Sequence, residues 1–147
     1  MTKATVESLK VGFSNTYALY LKTQNYHWNV KGPDFAQLHV FLEGQYQELA
    51  ETVDDLAERI VTLGGKAPGS FREFQSLMTT NEAPEGSLSA LEMIEDLLLS
   101  YATTISSLRD VLPHCSENTD AGTEDLISSV IGALEKKAWM LRAHLKQ

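Results

Sequence analysis

The chain has 147 residues, 43% of them hydrophobic and 22% charged, with 12 Lys and Arg against 20 Asp and Glu for a formal net charge of −8. That is one domain's worth of chain, residues 1–147, with enough apolar material for a core. No apolar run approaches the ~18 residues of a membrane span, a single cysteine excludes an intrachain disulfide framework, and the acidic balance disfavours contact with a polyanion.

Taken in chain order, the apolar residues Val6, Leu9, Phe13, Tyr17 and Leu21 predict a first helix running to about Val30. Gly32, Pro33 and Asp34 then mark a turn and a helix start. A second amphipathic helix follows, with its stripe at Phe35, Leu38, Leu42, Tyr46, Leu49, Val53, Leu56, Ile60 and Leu63, and Gly64-Gly65 as its stop. So short a turn makes the pair an antiparallel hairpin. A linker from Gly64 to about Ser87, rich in Gly, Pro, Ser, Thr and Asn, contains FREFQSL, which predicts one short helical piece. Ser89-Ala90-Leu91-Glu92 reads as a capping box opening a third helix along Leu91, Ile94, Leu98, Tyr101, Ile105, Leu108 and Leu112, with Pro113 at or just past its end. After a polar loop, a fourth helix is expected from about Thr123 to Leu145, with Leu126, Val130, Leu134, Leu141 and Leu145 inward. There is no strand pattern, internal repeat or low-complexity stretch. The fold class is all-α: two hairpins joined by a long connection suit a ferritin-like four-helix bundle better than an up-and-down one.

Five candidate metal ligands fall between positions 27 and 58: His27, His39, Glu43, Asp54 and Glu58. At about 100° per residue, the last four form a stripe on the second helix, turned roughly 120° from the centre of its apolar face. His39 with Glu43 and Asp54 with Glu58 are i,i+4 pairs, so each pair points one way. His27 lies just before the turn and His39 just after it, which brings them to a similar level. The rise from His39 to Asp54, however, is about 22 Å, and an ion sits about 2 Å from each ligand. One subunit therefore cannot close the site. A two-fold axis near Glu48 would set His27 and His39 of one chain opposite Asp54 and Glu58 of another, giving two equivalent sites. Taken singly, each residue has an ordinary explanation, a packed histidine or a solvated carboxylate pair; the register of the set is what points to metal. Asp55 faces about 100° further round and is left out.

The segment HWNVKG, followed by LHVFLEGQYQEL and DDLAERI, resembles the Dps proteins, the miniferritins named as DNA-binding proteins from starved cells. The similarity extends over nearly the whole chain, including LEKKAWMLRAHL. The resemblance implies a ferroxidase centre at a two-fold dimer interface, with His27, His39 and Glu43 from one chain and Asp54 and Glu58 from its mate. It also implies a hollow dodecamer that oxidises iron with peroxide or oxygen, stores it as ferric mineral and so limits oxidative damage. The donor set suits iron: carboxylates accept both oxidation states and neutral imidazole suits the ferrous ion, while zinc is expected to compete well. Glu43 binds either directly or through water or a second ion. An ordinary ferritin with its iron site inside each bundle predicts Glu-x-x-His motifs, and the sequence has none.

Other residues invite two readings each. Trp28 is an amphipathic anchor at the hairpin end or, as the resemblance implies, an electron donor that quenches radicals, a duty Tyr26 and Tyr46 could share. Cys115, beside His114, reads as an inert loop thiol rather than a metal ligand. In the acidic loop ENTDAGTED, Asp120, Glu124 and Asp125 either line a three-fold pore, where Asp120 and Asp125 resemble the family's positions, or simply cap the fourth helix. DNA-binding Dps proteins use a lysine-rich tail, whereas here Met1-Thr2-Lys3 and Leu145-Lys146-Gln147 flank the helices, so DNA binding is not expected. The first residues lack a signal-peptide core and the lone cysteine fits a reducing compartment, which points to the cytoplasm.

Overall fold

The computed structural model describes residues 2–145, and these form six helices: α1 (Thr2–Asn29), α2 (Phe35–Thr62), α3 (Phe71–Leu77), α4 (Ala90–Arg109), α5 (Leu112–Asn118) and α6 (Ala121–Arg142). Gly32 at φ 119° and Gly64 at φ 92° turn the chain at either end of α2, in a region that side chains with a Cβ avoid. The capping box is present in full: the Ser89 side chain accepts from the Glu92 amide, and the Glu92 carboxylate accepts from the Ser89 amide.

Cross-helix pairs give the topology. Tyr26 meets Asp96, Lys22 meets Ser100 and Asn15 meets Ser107, so α1 and α4 are antiparallel. Gln45 meets Lys137 and Arg59 meets Thr123, so α2 and α6 are antiparallel as well. With α1 antiparallel to α2, the two helices α2 and α4 run the same way, and only a long connection can join them. That crossover carries α3, whose Phe74 ring stacks on Tyr17 at 4.5 Å and meets Phe13 edge-on at 5.6 Å. Asn15 pins the crossover further: its side-chain oxygen accepts from the Thr79 and Thr80 amides while its amide donates to Thr79 Oγ1 and Ser107 Oγ. Leu9, Leu19, Leu42, Leu49, Leu56, Ile60, Ile94, Leu97, Tyr101, Leu108, Ile127 and Leu134 are fully buried between the layers.

Several details depart from the sequence reading. The stretch after the third helix is a further helix, α5, with Pro113 in its first turn rather than at the end of α4. Proline lacks only an amide that would be unpaired there, so it opens a helix as readily as it closes one. Cys115 is consequently not a loop thiol but a fully buried member of the core, and burial pushes its pKa up, with Asp120 and Glu124 adding to the effect. Finally, α6 stops at Arg142 instead of Leu145, and α1 presents Leu19, not Leu21, to the interior: Leu19 is 0% exposed and Leu21 41%. Leu91 and Phe35, assigned to the apolar stripes, are also exposed, each lying in the first turn of its helix where the neighbouring helices do not reach. Met1, Lys146 and Gln147, invoked for the absence of a basic tail, lie outside the described residues.

Candidate metal centre

His27 closes α1 and His39 sits in the second turn of α2, so the hairpin lays one imidazole on the other. The rings are stacked with centroids 3.8 Å apart and planes 14° from parallel. Each ring then bonds across the hairpin: His27 Nδ1 donates to the His39 carbonyl at 2.6 Å, and His39 Nδ1 donates to the His27 carbonyl at 2.7 Å. A carbonyl oxygen can only accept, so both imidazoles carry their proton on Nδ1 and keep the Nε2 lone pair for a metal. The His27 carbonyl is one of the last four of α1, which lack intrahelical partners, and this supplies the acceptor. Phe35 stacks on the outer face of His39 at 5.0 Å and Tyr46 meets His27 edge-on at 5.2 Å, so neither ring can rotate without losing packing.

Glu43, one turn beyond His39, brings Oε1 to 3.9 Å from His27 Nε2. One donor atom from each of His27, His39 and Glu43 lies within 4.8 Å of the others, and this is the one such three-residue cluster among the described residues. His27 is buried and the other two are half-buried. Two imidazole nitrogens and one carboxylate, two of them pre-oriented, fit a divalent transition metal and leave most of a coordination shell unfilled.

The Ferritin-like domain profile matches residues 7–147. The chain is 35% identical over 147 residues to DNA protection during starvation protein 2 of Bacillus anthracis, covering 100% of both chains. The fold superposes on the Dps of Staphylococcus aureus with a TM-score of 0.92 and 32% identity, covering 99% of this chain and 97% of that one. It superposes equally, with a TM-score of 0.92 and 32% identity over 98% of this chain and 90% of the other, on a Vibrio cholerae Dps described as a member of a broad superfamily of ferritin-like diiron-carboxylate proteins. This chain belongs to the Dps family.

In this Dps chain Asp54 and Glu58 stand exposed on α2, well beyond the histidine cluster, and a single subunit does not bring them to it. Neither carboxylate has a hydrogen-bond or ion-pair partner among the described residues. Trp28, next to His27, is 60% exposed. Tyr26 points the other way, into the bundle, where its hydroxyl donates to Asp96 Oδ2 at 2.5 Å, and burial followed by the Asp96 contact raises its pKa far above the ordinary value. The same Asp96 oxygen holds the buried Lys22 ammonium at 2.9 Å, which also donates to Ser100 at 2.7 Å. Tyr46, by contrast, touches the cluster directly.

Asp120 caps α6. Its two oxygens accept from the Thr123 amide at 3.1 Å and the Thr123 hydroxyl at 2.6 Å, and Arg59 Nη2 donates to it at 3.2 Å. Burial opposes its ionisation, but the Thr123 bonds and Arg59 outweigh it and hold the carboxyl below its usual range. Glu124, in the first turn of α6, and Asp125 just after it are both exposed. Sequence reasoning missed Arg59, Phe35 and the Lys22–Asp96 pair as partners of these features. The Phe35/His39 spacing of i,i+4 was a usable signal, whereas nothing local marks a lysine as buried.

Proposed function

We propose that this chain is the subunit of an iron-oxidising, iron-storing miniferritin, a dodecameric cage whose ferroxidase centres are shared between two-fold-related copies. His27, His39 and Glu43 supply one half of each centre and Asp54 and Glu58 of a second copy the other. The observation that carries the reading is the reciprocal histidine–carbonyl lock, which commits both Nδ1 atoms and presents both Nε2 atoms beside Glu43. A histidine serving packing alone has no need of a fixed tautomer on two adjacent rings. Reading Asp54 and Glu58 as the complementary half is supported by their exposure without partners on the stripe that carries His39 and Glu43, at an axial distance no ion can bridge within one chain.

Iron is the substrate of this reaction and the chain's residues manage its delivery and charge. Two ferrous ions each lose one electron, hydrogen peroxide or oxygen accepts them, and hydrolysis of the ferric product releases protons as mineral forms. With peroxide, both electrons enter the breaking O–O bond, so no hydroxyl radical is set loose; this is the protective value against oxidative stress. Carboxylates keep their affinity as the ion becomes ferric, and neutral imidazoles favour the ferrous state that enters. Zinc, higher in the affinity order, is expected to occupy the centre and inhibit.

The test is complementation. His39→Ala and Asp54→Ala homo-oligomers should each lose peroxide-driven iron oxidation while remaining assembled. A mixed oligomer of the two variants should regain part of it, because some interfaces pair an intact half from each parent. No recovery, with mixing verified by mass, would exclude a shared centre.

A further inference from the structure

The two halves of the centre are built to different standards. The histidine half carries its own orienting bonds, each ring held by the opposite carbonyl. The carboxylate half has none: among the described residues Asp54 and Glu58 lack side-chain partners, and metal-ligating carboxylates are ordinarily fixed by an outer layer of hydrogen bonds. They also lie in the last third of α2, Glu58 one turn before its end. Something polar must fix the rotation of that segment, whose inner face Leu56 and Ile60 bury, if Glu58 is to meet an ion shared with another subunit.

One side chain does. Arg59, the residue after Glu58 and about 100° round the helix from it, reaches across to the N-terminus of α6. Its Nε donates to Thr123 Oγ1 at 2.9 Å and its Nη2 to Asp120 Oδ1 at 3.2 Å. Thr123 Oγ1 in turn donates to Asp120 Oδ2 at 2.6 Å, which closes a ring of three residues. Thr123 is fully buried, and the Arg59 and Asp120 side chains are only 25% and 15% exposed, so solvent screens the pair weakly. Gly122 leaves the guanidinium room: a Cβ there would stand 2.8 Å from Arg59 Nη2 and would push the side chain aside. Elsewhere among the described residues the side-chain hydrogen bonds between α2 and α6 are those of Lys137 with Gln45 and Glu48, near the middle of α2. The Arg59 clamp is therefore the polar anchor of the carboxylate-bearing end.

We infer that Arg59 is a positioning residue for the metal centre: by locking the last turns of α2 onto Asp120 and Thr123 at the start of α6, it sets the placement of Glu58. The inference rests on the reading of Glu58 as a ligand. Its second consequence is that the start of α6, which displays the exposed acids Glu124 and Asp125, is mechanically continuous with the centre through one guanidinium.

Cobalt(II), followed by its visible absorption on the assembled protein, is the probe. Arg59→Gln and Thr123→Val each open the clamp from one side without touching a ligand, and each should weaken cobalt binding by about tenfold, the usual cost of losing an outer-layer partner. The double variant should be no weaker than either single one, because both remove the same device. Ser89→Ala, which removes the capping box of α4, serves as a control for general destabilisation and should leave cobalt affinity within about twofold. Glu58→Ala separates the two layers of the argument. If Glu58→Ala weakens cobalt binding while Arg59→Gln and Thr123→Val lower only the melting temperature, the positioning role is wrong and the centre stands. If Glu58→Ala leaves binding unchanged, the shared centre itself is wrong and the positioning role falls with it.

Discussion

Asp120 shows how much a single residue's role depends on what its oxygens touch. As an acid in a polar, acidic stretch it was as good a pore candidate as Asp125, yet both its oxygens are engaged by Thr123 and Arg59. Its bonds say cap and anchor, so Asp120→Ala should cost stability, by about 1 kcal/mol or somewhat more, in the range for losing an N-cap. The pH dependence follows from the lowered carboxyl pKa. Against an ordinary value of 3.8, a depressed folded value means the contribution is complete above about 3.8 and disappears as pH falls through the folded value. The gap in melting temperature between wild type and Asp120→Ala should thus be widest near neutrality and shrink in acid. A gap that stays constant from pH 7 to pH 3 would contradict the ionic account. At this same scale, the spacing of His27, His39 and Glu43 was readable because ligand chemistry restricts residue type and helical geometry restricts position. The Nδ1–carbonyl lock was not, because backbone acceptors leave no trace in residue identity.

Helices differed in how openly they announced themselves. The apolar stripe of α2 repeats every three or four residues, and its buried set of Leu38, Leu42, Leu49, Leu56 and Ile60 lies on that stripe. The interior face of α1 is another matter: it buries Thr5, Ser14, Asn15, Thr16, Lys22 and Thr23 beside its leucines. Apolar periodicity alone reads such a face out of phase, pointing to Leu21 where Leu19 is the buried residue. Asn15 and Lys22 are tolerated there because α4 and the crossover answer them with Ser100, Ser107 and the amides of Thr79 and Thr80, while Thr16 and Thr23 bond the Gly12 and Leu19 carbonyls of their own helix. The same seam contains Gly12, and a Cβ at that position would stand 2.7 Å from Leu108 Cδ2. Gly12→Ala should therefore destabilise the bundle by about 1–3 kcal/mol through overpacking, even though alanine is the better helix former by about 1 kcal/mol. Gly132, on the exposed face of α6 with nothing within 4 Å, supplies the contrast: Gly132→Ala should raise stability by up to about 1 kcal/mol. Thermal unfolding of the two variants side by side decides it, and equal shifts would show that the α1–α4 approach is looser than the Leu108 contact implies.

The whole molecule is acidic, and that bears on which kind of protection it offers. Relatives carry the name of DNA protection, but a formal charge of −8 per chain is multiplied in any oligomer, and a polyanion approaching such a cage meets a repulsive field. No described helix is long and apolar enough to cross a membrane, so the exposed apolar side chains have another explanation. Leu21 and Phe71 flank a groove between α1 and α3 that is floored by Tyr17 and Phe74, on a chain whose proposed metal centre calls for a second copy. On the proposed function, the acidic charge favours protection through the chemistry of iron over contact with nucleic acid. Duplex DNA should accordingly run unshifted with the purified oligomer at low salt, where electrostatic attraction would be strongest. Added magnesium bridges anionic surfaces, so the decisive lane is the one containing chelator. A shift in that lane would mean that positive charge is gathered locally on the assembled surface, against the sign of the chain as a whole. The same oligomer should still shield DNA from cleavage by ferrous iron and peroxide, and His39→Ala should not, because the shielding then depends on removing the reagents and not on covering the target.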